Sequence, residues 1–116
     1  MICYTNNVNI IVIMRISKII NMTRVKIIFL SILSDIIGKR EISLKIKENS
    51  SIEDLVERLK KDLGLSFEAY FFEPDNSLKK YIIIALNGKD IRQIENLSTI
   101  VHNGDNISFL PAIAGG

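Results

Sequence analysis

Hydrophobic and polar positions change period several times along the chain, and each change marks an element. Over residues 23–31, Val25, Ile27 and Phe29 alternate with Arg24, Lys26 and Ile28, and apolar residues gain on both sides toward the end. A period of two predicts a strand, and the apolar gain predicts a central one covered on both faces. Residues 31–38 read as a short connection, one helical turn through Leu33, Ile36 and Ile37 closed by Gly38. Residues 40–47 alternate cleanly. Ile42, Leu44 and Ile46 fall on one side, and Glu41, Ser43, Lys45 and Lys47 on the other. That pattern predicts a half-buried strand paired with the first as a hairpin.

The period then lengthens. Ile52, Leu55, Val56, Leu59 and Leu63 share one face at helical spacing, with Glu53, Asp54, Glu57, Lys60 and Lys61 largely outside it. Ser50 with Glu53, or Ser51 with Asp54, supplies a capping box, and Gly64 a stop. Residues 65–80 show no sustained period. They hold a Pro74-Asp75-Asn76-Ser77 turn and the aromatics Phe67, Tyr70, Phe71 and Phe72. Residues 81–86 predict a nearly continuous apolar strand, Asn87-Gly88 a tight hairpin turn, and residues 89–91 its short return. A second turn at Asn103-Gly104-Asp105 leads into a last strand over residues 106–110, with Ile107 and Phe109 on one face and Pro111 at its end.

Two hairpin-like units thus flank one long amphipathic helix, which must cover the sheet to bury its apolar stripe. The first and last strands then lie side by side at the centre. The fold class this predicts is α+β, the ubiquitin-like β-grasp: a mixed sheet covered by one main helix. A ferredoxin-like arrangement uses similar strands but wants a second long helix, and the pattern offers none.

Composition narrows the function classes. With 116 residues and 47% apolar content the chain supports one domain and one core. The net charge of +2 comes from Arg15 and Lys18; from Met22 onward 13 basic residues are interleaved with 13 acidic ones. No clustered basic surface for nucleic acid is predicted. Cys3 is the only cysteine and His102 the only histidine. They build neither a metal cluster nor a Cys-His or Ser-His-Asp set, so no metal site and no catalytic triad are expected. One lone cysteine also fits a reducing, cytoplasmic setting. His102 reads as a turn residue, and Asp54 and Glu57 as solvated helix residues. The glycines at 38, 64, 88 and 104 are isolated, so no phosphate-binding loop is expected.

Residues 1–21 stand apart. Their apolar run, Ile10-Ile11-Val12-Ile13-Met14, is too short to span a bilayer and lacks the flanks of a secretory signal, so no membrane partner is expected. This stretch reads as an N-terminal extension, either an extra strand or disordered tail, or codons upstream of a start at Met22. The reading adopted is the start at Met22. The domain is expected over residues 22–111 and a flexible tail over 112–116.

That tail holds the candidate chemistry. Ala112, Ile113, Ala114, Gly115 and Gly116 carry no charge, and all but Ile113 are small. Glycine lets a backbone approach a ligand closely and puts no side chain beside the carboxylate. Such a tail can extend, enter a narrow channel and present Gly116 to a nucleotide.

The segment Ile84-Ala85-Leu86-Asn87-Gly88-Lys89-Asp90-Ile91, then Leu97-Ser98-Thr99, Asn103-Gly104-Asp105 and Phe109-Leu110-Pro111-Ala112-Ile113-Ala114-Gly115-Gly116, resembles the archaeal-type MoaD/ThiS sulfur carriers. The resemblance spans residues 22–116. It departs where the family often has two prolines before the tail, here Pro111-Ala112, and Thr-Pro-Leu, here Thr99-Ile100-Val101. The resemblance implies that a ubiquitin-activating-like adenylyltransferase uses ATP to adenylate Gly116, and that a sulfur donor protein converts it to a thiocarboxylate. It implies no cofactor bound by the chain itself. It implies a non-enzymatic carrier, the small subunit of molybdopterin synthase, whose tail enters the large subunit. Pro111 and Leu110 lead into that tail, and Leu110 is the expected apolar partner contact; burial beneath residues 65–80 is the competing reading. Other readings stay open: a sulfur carrier for tRNA thiolation, thiamine synthesis or sulfur amino acids, a ubiquitin-like protein modifier, or a non-covalent β-grasp interaction module. The absence from thiazole-pathway carriers of an insertion like residues 65–80 favours the molybdopterin side.

Overall fold

A computed structural model describes residues 22–112, so the extension over 1–21 and the residues Ile113, Ala114, Gly115 and Gly116 lie outside the described residues. Strands β1 (Met22–Phe29) and β2 (Glu41–Lys47) pair antiparallel, joined through a short helix α1 (Ile32–Ile37). Gly38 closes α1 with a left-handed backbone, φ 82°, and its N–H donates to the Ser34 carbonyl. The predicted turn at this place is therefore a short helix with the predicted stop.

The long helix α2 (Ile52–Leu63) buries Ile52, Leu55, Val56 and Leu59. Of the two capping alternatives the chain uses Ser51 with Asp54: the Asp54 N–H donates to the Ser51 hydroxyl and the Ser51 N–H to the Asp54 carboxylate. The Ser50 hydroxyl instead donates to the Lys47 carbonyl at 2.7 Å. Acids in the first turn and lysines in the last complement the helix dipole. The helix start is also fixed from afar. The Ile52 N–H donates to the Thr99 carbonyl at 2.8 Å, and the Val101 N–H to the Ser50 carbonyl at 2.9 Å. Ser51→Ala removes one arm of the capping box and is expected to lower stability by about 1 kcal/mol, read from the midpoint of urea denaturation.

Residues 65–71 are not irregular. Gly64 (φ 74°, ψ −148°) breaks α2, and a second short helix, α3 (Leu65–Phe71), starts directly after it. Its Phe67 and Phe71, one helical turn apart, are fully buried. Seven residues are too few to display a period, which is why the pattern hid this helix.

Beyond α3, β3 (Ile82–Leu86) turns through Asn87 (φ 50°) and Gly88 (φ 86°) into the two-residue β4 (Lys89–Asp90). Both turn residues hold the positive φ that the Asn-Gly pair predicted. Single 3₁₀ turns at Ile91–Gln93 and Asn96–Ser98 lead to β5 (Asn106–Pro111). The sheet order is β2-β1-β5-β3-β4, with β5 central, parallel to β1 and antiparallel to β3. This is the expected mixed β-grasp sheet with α2 as its main helix.

The helix-covered row of the sheet buries Val25, Ile27 and Phe29 on β1, Leu44 and Ile46 on β2, Ile82 and Ile84 on β3, and Ile107 and Phe109 on β5; on the other row Ala85 of β3 is also buried. The expectation that β1 is covered on both faces is not met. Among its other row, Arg24 and Lys26 are exposed and Ile28 is half-buried. The apolar gain toward the end of β1 has another origin, an apolar band on the open face.

Candidate functional site

The site is the place where β5 runs out of the sheet. Its root is fixed by an aromatic cluster. Phe109 stacks on Phe29 at 5.4 Å between ring centroids and meets Phe67 at 5.7 Å and Phe71 at 5.5 Å, both edge-on. All four rings are essentially inaccessible to solvent. Edge-to-face contacts of this kind add to the large apolar area that each ring buries. Phe67 and Phe71 come from α3, so the helix missed in the sequence is what clamps the last strand.

Leu110, the next residue, points the opposite way because strand neighbours alternate. It is half-buried, and Phe67 and Phe71 of α3 lie on the other side of the sheet with Phe109. Its cross-strand partner is Ile83, and the next row pairs Ala85 with Ser108 and Ser108 with Ile28. Leu30, one residue past β1, is 42% exposed, and its N–H donates to the Phe109 carbonyl at 3.0 Å. Leu30, Leu110, Ile83 and Ile28 thus form an apolar band across the open face at the end where the chain leaves. Glu41 stands directly opposite Ile28, and Lys26 and Arg24 lie farther along the same face, with Lys26 and Glu41 3.8 Å apart. The band next to the tail, rimmed by charge, has the make-up of a protein contact.

Pro111 is placed where its missing N–H costs nothing. Ala112 donates its N–H to the Tyr81 carbonyl at 2.7 Å, and the Asn106 carbonyl accepts from Asn87 at 2.8 Å, so the even positions of β5 bond to β3. Position 111 therefore faces β1, which has already ended at Phe29. The Leu30 carbonyl there accepts from Leu33 at 3.2 Å instead. Ala112, which the sequence placed first in the tail, is still held in the sheet by its bond to Tyr81. The remaining site residues, Ile113, Ala114, Gly115 and Gly116, fall outside the described residues.

Among the described residues around this exit, none forms a catalytic centre. His102 is in the turn before β5, its side chain 74% exposed, and its N–H donates to the Asp105 carboxylate at 2.7 Å. Two carboxylates are held below their ordinary range, Asp75 by the Ser77 hydroxyl and Asp90 by the Arg92 guanidinium. Both serve the turns they sit in. Among the described residues there is no cluster of His, Cys, Asp or Glu fit for a metal, and no helix long and apolar enough to cross a membrane.

Comparison with known proteins agrees with this geometry. The sequence model of the ThiS family matches residues 27–116. A protein of Archaeoglobus fulgidus named as a sulfur carrier is 33% identical over 69 residues, 60% of this chain and 77% of that one. Small archaeal modifier protein 3 of Haloferax volcanii is 21% identical over 89 residues, 76% of this chain and 94% of that one. The solution structure of small archaeal modifier protein 1 from Methanosarcina acetivorans superimposes with a TM-score of 0.68 at 28% identity, covering 82% of this chain and 98% of that one.

Proposed function

The chain belongs to the ThiS family, ubiquitin-like sulfur carriers and modifiers, and from that premise we propose that its Gly116 carboxylate is activated by adenylation and converted to a thiocarboxylate that donates sulfur. The observation that carries this reading is the way the fold ends. The central strand is clamped by Phe109 and held to the sheet through Ala112, and the family match continues through Gly116. Four residues beyond Ala112 reach about 14 Å when extended, enough to carry a carboxylate into a partner's channel.

The chemistry divides between the chain and its partners. Carboxylate is a poor electrophile. Attack of a Gly116 oxygen on the α-phosphorus of ATP forms an acyl-adenylate and releases pyrophosphate. A sulfide sulfur then attacks the acyl carbon, the C–S bond forms, and AMP leaves with the electron pair of the broken C–O bond. The chain supplies the acyl group and no side chain to either step. An adenylyltransferase of the ubiquitin-activating type binds the ATP, and a sulfur donor protein delivers the sulfur.

For the acceptor we take the precursor of molybdopterin, held by the large subunit of molybdopterin synthase. The insertion over residues 65–80, here α3 and the turn after it, supports this choice. The test incubates the thiocarboxylated chain with that large subunit and the precursor. Formation of molybdopterin with return of the carboxylate is expected; no product, with a control carrier active, overturns the choice. The resemblance to proteins named as modifiers supports a second use of the same tail, an amide bond from Gly116 to a lysine of a target. Mass spectrometry of peptides branched at lysine tests it.

The apolar band gives the partner its footing. Leu110→Arg puts a charge at its centre without touching the core. It is expected to weaken association with the adenylyltransferase about tenfold or more, while the thermal midpoint stays within a few degrees of the parent. Titration calorimetry beside a melting curve separates the two effects.

A further inference from the structure

The other edge of the sheet carries a pattern the sulfur chemistry does not use. Strand β2 is an edge: β1 lies on one side, and among the described residues no strand lies on the other. The Phe29 N–H donates to the Arg40 carbonyl, which with the register sets Ile42, Leu44 and Ile46 as the residues whose backbone bonds to β1. The N–H and C=O groups of Glu41, Ser43 and Lys45 and the N–H of Lys47 therefore point outward. The Lys47 carbonyl is taken by Ser50, and the Lys45 carbonyl is met only by a long contact, 3.4 Å, from Arg58 Nη1.

We propose that this edge pairs with β2 of a second copy of the chain, antiparallel about a two-fold axis at Leu44. The sequence of the strand is complementary to its own reverse. In that register Glu41 stands opposite Lys47 of the second copy, Ile42 opposite Ile46, Ser43 opposite Lys45, and Leu44 opposite itself. Residues directly opposite share a face. The two Glu41–Lys47 pairs then lie on the open face and the aliphatic pairs on the helix-covered one. The hydrogen-bond parity also fits. Ser43 and Lys45, whose groups point outward, become hydrogen-bonded partners on both sides of a non-bonded Leu44 pair. Lysine on an edge strand ordinarily discourages pairing, but here each lysine meets a serine or a glutamate rather than another lysine. The joint makes one continuous ten-stranded sheet and leaves both β5 exits free, since β1 separates β2 from β5.

Sedimentation of the full chain from micromolar to millimolar concentration tests this. A concentration-dependent monomer–dimer equilibrium is expected. Ser43→Pro removes only an outward N–H, a position where an edge strand tolerates proline. It is expected to weaken the dimer at least about tenfold with an unchanged circular dichroism spectrum. Glu41→Lys alone and Lys47→Glu alone each set like charges face to face and are expected to weaken self-association. Mixing the two variants restores every opposite-charge pair and is expected to restore the dimer as a heterodimer. A chain that stays monomeric throughout, a dimer indifferent to Ser43→Pro, or charge variants that do not recover on mixing would overturn the proposal.

Discussion

Removal of Gly116 is expected to abolish thiocarboxylate formation while leaving the fold as stable as before. The two halves of this result have separate causes. Stability is set by the clamp on Phe109 and by the sheet bonds, the last of which in the described chain is Ala112 to Tyr81. A change four residues beyond that bond is expected to move the unfolding free energy by less than about 0.5 kcal/mol. Reactivity depends on where the carboxylate lies. Deletion retracts it by about 3.5 Å, a full residue of extended chain. Productive attack needs reacting atoms about 3–3.5 Å apart, and a misplacement of roughly 1 Å already costs about a hundredfold. A full residue is therefore expected to reduce conversion to background. Single-turnover conversion by the adenylyltransferase, beside urea denaturation of both proteins, reads both halves. A deletion variant that still carries sulfur would mean that the tail is not the site.

Phe109→Ala is expected to have the largest effect on stability. Its ring touches Phe29, Phe67 and Phe71 and is fully buried. Truncation leaves a cavity at the crossing of β1, β5 and α3 that these rings cannot readily fill, at a cost of about 3–5 kcal/mol. That is a large share of the roughly 5–15 kcal/mol that holds a domain of this size together. Phe109→Leu keeps much of the volume and is expected to cost clearly less. Chemical denaturation midpoints check the order. An alanine variant as stable as the leucine variant would show that the cluster does not clamp the strand. The same substitution loosens the root of the tail, so sulfur transfer is expected to fall in step with the folded fraction.

The fold was legible where local chemistry and tertiary packing ask for the same residues. The alternation of β2, the stripe of α2, the Ser51–Asp54 box and the positive φ of Asn87-Gly88 are local features with local causes. The long-range pairing of β1 with β5 followed from the need to cover one sheet with one helix. Helix α3 was hidden because Leu65–Phe71 is short and rich in aromatic residues that also suit strands. Its Phe67 and Phe71 belong to the core only once Phe109 is beside them, and sequence spacing does not show that neighbour. Ile28 misled in the opposite direction. An apolar residue on the outer row of β1 suggested a second buried face, whereas it is half-buried and extends the apolar band next to Leu30 and Leu110. The side of the sheet taken by Leu110 followed from alternation with Phe109, but the place of Phe67 and Phe71 on the opposite side needed the fold. At the tail exit, Pro111 was legible as a strand end; the reason it is harmless there, the earlier end of β1, was not.

The central claim is that Gly116 carries sulfur, and intact-mass spectrometry tests it most directly. The full chain is incubated with ATP, a sulfide source and a ubiquitin-activating-like adenylyltransferase known to be active on another carrier. The account expects a mass gain that corresponds to exchange of one oxygen for one sulfur, dependent on ATP and located by fragmentation at Gly116. An unchanged mass under those conditions, or a sulfur located elsewhere in the chain, would contradict it.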